Sequence, residues 1–505
     1  MTKYNFINFF RNSWTNDSSV YKLLFFIGLL KLLFNLLIPI TPQEAYYWYY
    51  SQHLDLSYFD HPPMTAYSIF LGTLLFGNTV FGVKFMAVVW WFFTNMLLYK
   101  IVKNHIEFYK LDSSFYKLPF YSLIIYNLTV IGSLYSITMV PDTPLMFFWF
   151  LIVYSVQKVI LNNKKIWWLV AGVSLGFALM SKYSAIIITG SLFLFLLFSK
   201  EYRKLLLTPY PYLSILIGIL VFSPVIYWNY ANEWASFKYQ FSERASKAKP
   251  LQIKYFLQLV ISQFFLLTPL IFLWCFSTVY HYIKNWKTNR KLDLFFFTGL
   301  PIIIIFALIS FKSLVKMNWL LPGYISLIVM MAFTHKHNLE KLTASIKVGL
   351  GISLFLVVLG HFILVVPNVP LGEANTWSGW KDASQQIYKL QMEYGGRNNC
   401  FIFGNSYKSA SLVKFYLPDQ QPTYAENIFG ERGLQFDYWE DPAKLYGKNA
   451  LYVFDNRKEY KPELEIVEKY FDEIREVKKF EYDFFGIAKT RTITCYYCVN
   501  YHETN

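Results

Sequence analysis

Apolar runs of membrane-crossing length recur through the first 367 residues, and such a chain has few ways to fold. They are centred on 21–40, 80–102, 118–137, 144–161, 167–180, 185–199, 211–228, 255–278, 294–310, 319–334 and 343–367. A hydrocarbon core takes about 20 helical residues to cross. The expectation is an all-α polytopic membrane domain of about eleven transmembrane helices over 1–367. Several runs are short and carry Gly or Pro. The first is no cleaved signal peptide, because it contains Lys31, lacks a small-residue cleavage pattern and is followed by more apolar sequence. With 55% hydrophobic and 16% charged residues, an ordinary soluble domain is excluded.

Basic residues set the expected orientation. Lys3, Arg11 and Lys22 precede the first run, and alternate short loops carry Lys103, Lys110 and Lys117, then Lys164 and Lys165, Lys200 to Lys204, Lys284 to Lys291, and Lys336 with Lys341. The positive-inside rule makes these loops and the N-terminus cytoplasmic. Segments 41–83, 138–143, 229–252, 311–318 and the tail then lie outside. The net charge of +15 follows from this topology and implies no nucleic acid.

From about 368 to 505 the composition turns polar. CFIFG (400–404) and ALYVF (450–454) read as strands, with helix-like stretches near 380–394, 407–416 and 461–475. Strands alternating with helices predict a small C-terminal α/β periplasmic domain over 368–505. Cys495 and Cys498 form a lone CxxC, which reads as a local disulfide or two unremarkable thiols rather than a catalytic pair.

The first outer loop, TPQEAYYWYYSQHLDLSYFDHPPM (41–64), holds Glu44, Asp55, Asp60, His53 and His61, with no Lys or Arg from Thr41 to Val83. Asp142 stands between two prolines in MVPDTP, Lys182 lies in SKYS, and Lys238, Arg244, Lys247, Lys249, Lys312 and Lys316 lie in later outer segments. Each has a structural explanation. Glu44 follows Pro42 as a first-turn acid, Asp142 suits a helix start, and the Tyr and Trp residues suit an interfacial belt. Together, ionisable groups at one membrane face point to a site. Acids in the early loops and bases in the later ones suit an anionic lipid headgroup beside a carboxylate that activates a nucleophile or holds a metal. A divalent cation on Glu44 and Asp60 is compatible with these residues but not required by them.

QEAYYW followed by YFDHPPM resembles the DEAYYW…YFDHPPM motif of bacterial integral-membrane glycosyltransferases. These are the relatives of lipid A aminoarabinose and galacturonosyl transferases, which share the C-type fold with protein O-mannosyltransferases. VPDTPLMFFW, SKYSA, PVIYWN…EWASFKYQ, KMNWLLPGY, SYKSASLVKFYLP and QFDYW continue the resemblance along nearly the whole chain. It implies a polyprenyl-phosphate-linked sugar as donor, an envelope lipid, glycan or protein as acceptor, and inverting transfer on the periplasmic face. It also implies catalytic roles for Glu44, Asp60 and Asp142. Substrate-binding roles fall to His61, Lys182, Asn229, Gln240, Arg244, Lys316 and Asn318. Gln43 replaces the family's first acid, which shifts weight to Glu44, Asp60 and Asp142. A lipid-linked-sugar flippase is the main rival, but it predicts charges deep within the spans and repeat symmetry.

Overall fold

The computed structural model describes residues 17–243, 250–439, 441–455 and 464–503. The chain divides into two compact units. The first comprises 1–36, 55–57 and 61–361, and the second 37–54, 58–60 and 362–505. Arg244 lies outside the described residues.

The first unit is helical. It opens with α1 (Asp17–Phe34); α2 (Pro42–Gln52) belongs to the second unit. The first unit continues with α3 (Met64–Phe76), α4 (Val80–Phe108), α5 (Leu118–Asn127), α6 (Val130–Leu134), α7 (Asp142–Asn162), α8 (Ile166–Ser181), α9 (Ile186–Phe198) and α10 (Tyr210–Ala231). After these come α11 (Ile253–Leu267), α12 (Pro269–Lys284), α13 (Asp293–Ile309), α14 (Leu321–Thr334) and α15 (Ala344–Val365). Among the described residues five helices are long and apolar enough to cross a membrane, or six if α11 and α12 count as one bent span. The expected eleven counted the shorter apolar helices as well.

The breaks have local causes. Thr129 ends the first half of the 118–137 run and caps α6 by accepting from Gly132 N at 3.0 Å. Pro269, which has no N–H, follows Thr268 at φ 71°, and the two helices meet there at 110°. Helix contacts are close where glycine allows. A Cβ on Gly176 would lie 2.4 Å from Val221 Cβ, and one on Gly172 would lie 2.5 Å from Ser214 O, so α8 and α10 pack backbone to backbone. Outward faces stay apolar, as at Leu216, Leu220, Phe355 and Val358, which suits a lipid solvent.

In the second unit, α16 (Trp380–Glu393) and α17 (Tyr407–Tyr416) accompany a four-stranded sheet. Its strands are β1 (Cys400–Gly404), β2 (Asn449–Asp455), β3 (Phe471–Phe484) and β4 (Ala488–Tyr501). Their order is β1-β2-β4-β3, with β1 parallel to β2 and the remaining pairs antiparallel. β1 and β2 are the expected strands, and both are buried, as a sheet centre requires. Gly404 is required where β1 meets α17, because a Cβ there would stand 2.6 Å from Ala410 N. The helix expected at 461–475 is instead a short helix at Leu464–Val467 running into β3, with part of the stretch outside the described residues. The β3–β4 hairpin escaped the sequence reading because DEIREVKK keeps an edge strand charged and hides the alternation. Cys495 and Cys498 are free. Three residues along a strand span about 10 Å and face opposite sides, which is too far for a disulfide. Burial pushes both thiols above their usual range, so they are inert.

A side chain larger than hydrogen at position 176 has no room. Gly176→Leu is expected to cost about 1–3 kcal/mol or more through overpacking, seen as a lower Tm in detergent, whereas Gly190→Leu, whose Cβ would meet nothing within 4 Å, is expected to leave Tm near wild type.

Candidate functional site

The first unit gathers three of the expected site residues around one carboxylate. Asp142 is the first residue of α7 and is buried, at 2% exposure. First-turn N–H groups have no intrahelical partners, so Pro144 costs the helix nothing there, and the helix dipole favours the acid. Lys182 ends α8 in extended backbone, ahead of a single 3-10 turn at Tyr183–Ala185. Its Nζ donates to Asp142 Oδ1 at 2.8 Å. Asn318, in the turn before α14, donates Nδ2–H to Asp142 Oδ2 at 2.6 Å. Each carboxylate oxygen therefore has its own donor. The Lys182 ammonium also lies 5.8 Å from the Trp319 ring centre, a cation–π contact. An ammonium has three donors, and Asp142 takes one.

The rest of the outer-loop set supports this cluster without joining it. Asn229 is fully buried; its Nδ2–H donates to Val225 O and its Oδ1 accepts from Phe237 N at 3.1 Å. Both amide ends thus brace the turn after α10. Tyr183 and Ser236 share a 2.8 Å hydrogen bond that ties the 181–185 turn to the same segment. Gln240 is half-buried in the π-helical Lys238–Glu243, and Lys316 is exposed two residues before Asn318. His61 is half-buried ahead of Pro62, Pro63 and α3. Asp55, unassigned by the sequence, accepts from Trp228 Nε1 at 2.7 Å and so pins the 55–57 segment to the end of α10.

In the second unit, Glu44 is fully buried and completes a capping box. Its Oε2 accepts from Thr41 N and Thr41 Oγ1, both at 3.0 Å, while Thr41 Oγ1 accepts from Glu44 N. The structural explanation of Glu44 thus holds, whatever else the acid does. Asp60, at 6% exposure, accepts from the phenols of Tyr46, at 3.0 Å, and Tyr50. Burial, then the Asp60 charge, push both phenols well above their usual range, so they stay protonated donors. Tyr46 Oη in turn accepts from Gln435 N, and Gln435 Oε1 accepts from Phe59 N, so the QFDYW block holds the loop that carries Asp60. The aromatics of α2, read from sequence as a belt, are internal. Trp48 packs on Phe415 at 5.0 Å, and the Lys414 ammonium lies 3.5 Å from the Tyr49 ring centre.

Glu44 and Asp60 therefore serve different neighbours. Among the described residues no three His, Cys, Asp or Glu side chains gather as a metal-binding group.

The sequence resembles known proteins in the same region. Residues 60–228 match the family of dolichyl-phosphate-mannose-protein mannosyltransferases. The lipid A galacturonosyltransferase RgtD of Rhizobium johnstonii is 22% identical over 430 residues, covering 82% of this chain and 85% of that protein. The fold matches two crystal structures of ArnT from Cupriavidus metallidurans. The one bound to undecaprenyl phosphate has a TM-score of 0.62 at 13% identity, and the apo one 0.61 at 12%; each comparison covers 95% of this chain and 98% of that one. The chain thus has the fold of these ArnT structures and is similar in sequence to membrane glycosyltransferases. Asp60 opens the matched family segment, and Asp142 and Lys182 lie inside it.

Glu426 went unnoticed in the sequence. Burial, then the nearby Asp437 charge, push its carboxyl up to about 7. A folded pKa above the free value means the folded state holds the extra proton, so stability falls as pH rises from about 4.5 to 7. Glu426→Gln is expected to remove this loss and raise Tm at pH 8 relative to wild type, with little change at pH 4.5, by differential scanning fluorimetry.

Proposed function

We propose that this glycosyltransferase moves a sugar from a polyprenyl-phosphate donor to an envelope acceptor on the periplasmic side of the inner membrane, with the N-terminus cytoplasmic. The observation that carries the proposal is the Asp142–Lys182–Asn318 cluster. A buried ammonium aligned by one carboxylate, with donors remaining, suits an anion whose charge grows as a bond breaks. The lipid phosphate is such an anion.

The acceptor oxygen attacks the anomeric carbon from the side opposite the phosphate oxygen. The C–O bond to phosphate breaks with its electron pair, and polyprenyl phosphate leaves with inverted configuration at the sugar. Lys182 bears the developing charge, and Asp142 with Asn318 holds it in place. The acceptor's proton passes to a carboxylate. No step requires a metal, because Lys182 supplies the cation. The similarity to a lipid A galacturonosyltransferase supports a lipid A acceptor and a uronic acid or related hexose as the sugar.

The test is release of free polyprenyl phosphate by purified protein given a polyprenyl-phosphate sugar and lipid A. Lys182→Ala and Asp142→Asn are each expected to lower kcat roughly 100-fold or more. Glu44→Gln should cost about 1 kcal/mol of stability through the lost helix cap and keep most of the transfer. Wild-type rates in Lys182→Ala would sink the proposal. EDTA is expected to leave the rate unchanged, and loss restored by a divalent cation would refute the metal-free scheme.

A further inference from the structure

Lys31 and its neighbours form a polar seam inside the helical unit that the transfer reaction does not use. Lys31 lies on α1 about 21 Å along the axis from Asp17, whose carboxylate meets Lys103 at the other end. Lys31 therefore stands in the last turn of α1, at the opposite end of the helix from that ion pair. Its ammonium lies 5.1 Å from the Trp91 ring centre on α4. Trp91 donates Nε1–H to Asn127 Oδ1 at 2.8 Å, and Asn127 donates to Asn95 Oδ1 at 2.7 Å. On the other side, His361 of α15 packs its ring 5.1 Å from Phe34 and feels the Lys31 charge. His361 Nδ1 lies 2.9 Å from Val357 O.

Two features of the seam are unexplained by packing. Among the described residues no carboxylate pairs with Lys31. Asn35, one turn beyond it on the same face, is 0% exposed, and neither its Oδ1 nor its Nδ2 has a hydrogen-bond partner. A lone cation and a fully buried orphaned amide are both costly, and such groups mark ligand sites more often than packing. The missing partner must be anionic and rich in acceptors. Leu30 and Leu33 on α1 and Leu354 and Val358 on α15, beside the seam, are exposed and give an apolar chain a surface to lie on.

We propose that this seam binds the phosphate of a membrane lipid, with Lys31 and Asn35 as donors and the lipid chain along α1 and α15. It is a second lipid-phosphate site, separate from the Asp142–Lys182 cluster, and does not depend on the transfer reading.

Delipidated full-length protein in detergent, titrated by native mass spectrometry and thermal shift, tests this with four probes. These are phosphatidylglycerol, polyprenyl phosphate, diacylglycerol with matched chains, and inorganic phosphate. One equivalent of a lipid phosphate is expected to bind and raise Tm, and comparing the first two probes identifies the lipid. Diacylglycerol and inorganic phosphate are expected to do neither. Lys31→Met should weaken lipid binding at least tenfold, Asn35→Leu severalfold, and Lys31→Arg little. Lys182→Ala should leave this binding intact, which separates failure here from failure of the transfer mechanism. Equal binding of diacylglycerol or inorganic phosphate would overturn the proposal. So would an Asn35→Leu protein that is more stable and binds lipid as wild type does. The four-probe comparison on wild type decides even if a variant fails to fold.

Discussion

Hydrocarbon offers no hydrogen bonds, and the first unit is organised around that lack. Backbone groups find their partners within helices, and helices break only where another group takes over the freed donors or where proline removes them. Thr129 takes over at α6, and Pro269 removes a donor where α11 turns into α12. The same poverty of partners makes each buried charge costly. Asp142, Lys182 and Asn318 satisfy one another, and they do so at the mouths of three helices that are far apart in sequence.

The acids of the first outer loop are held by a different physics. In the second unit they answer to a polar, aromatic interior. Glu44 ends a helix, and Asp60 is gripped by two phenols that burial keeps protonated. Tyr46 links Asp60 to Gln435, so the tail that looked separate in composition shares a core with 37–54 and 58–60. A motif such as QFDYW then has a mechanical meaning, because its Gln435 fixes the backbone at Phe59.

The two kinds of interior explain which residues were legible. Asp142 and Lys182 were visible as ionisable groups at a membrane boundary, where chance charges are rare. Asn318 was visible only through a resemblance, since an uncharged amide carries no such signal. Tyr46 and Tyr50 were hidden by their own composition, because an interfacial belt and an internal aromatic cluster read alike. β3 was hidden because its outward charges obscure the period of two. Lys31 was noticed only as a reason to reject a signal peptide, and that it meets no acid among the described residues is a fact of three dimensions.

From the residues alone came the class of fold: apolar runs too long and too many for a soluble core, a polar tail with two buried strands, and a loop rich in acids. Those are consequences of solvent, and solvent preference is written in composition. What only the tertiary structure decided is which charge meets which. Partners 40 and 176 residues apart define the Asp142 cluster, and no local pattern encodes such distances. Pairing depends on where helices and turns bring side chains, and that geometry exists only once the chain has folded.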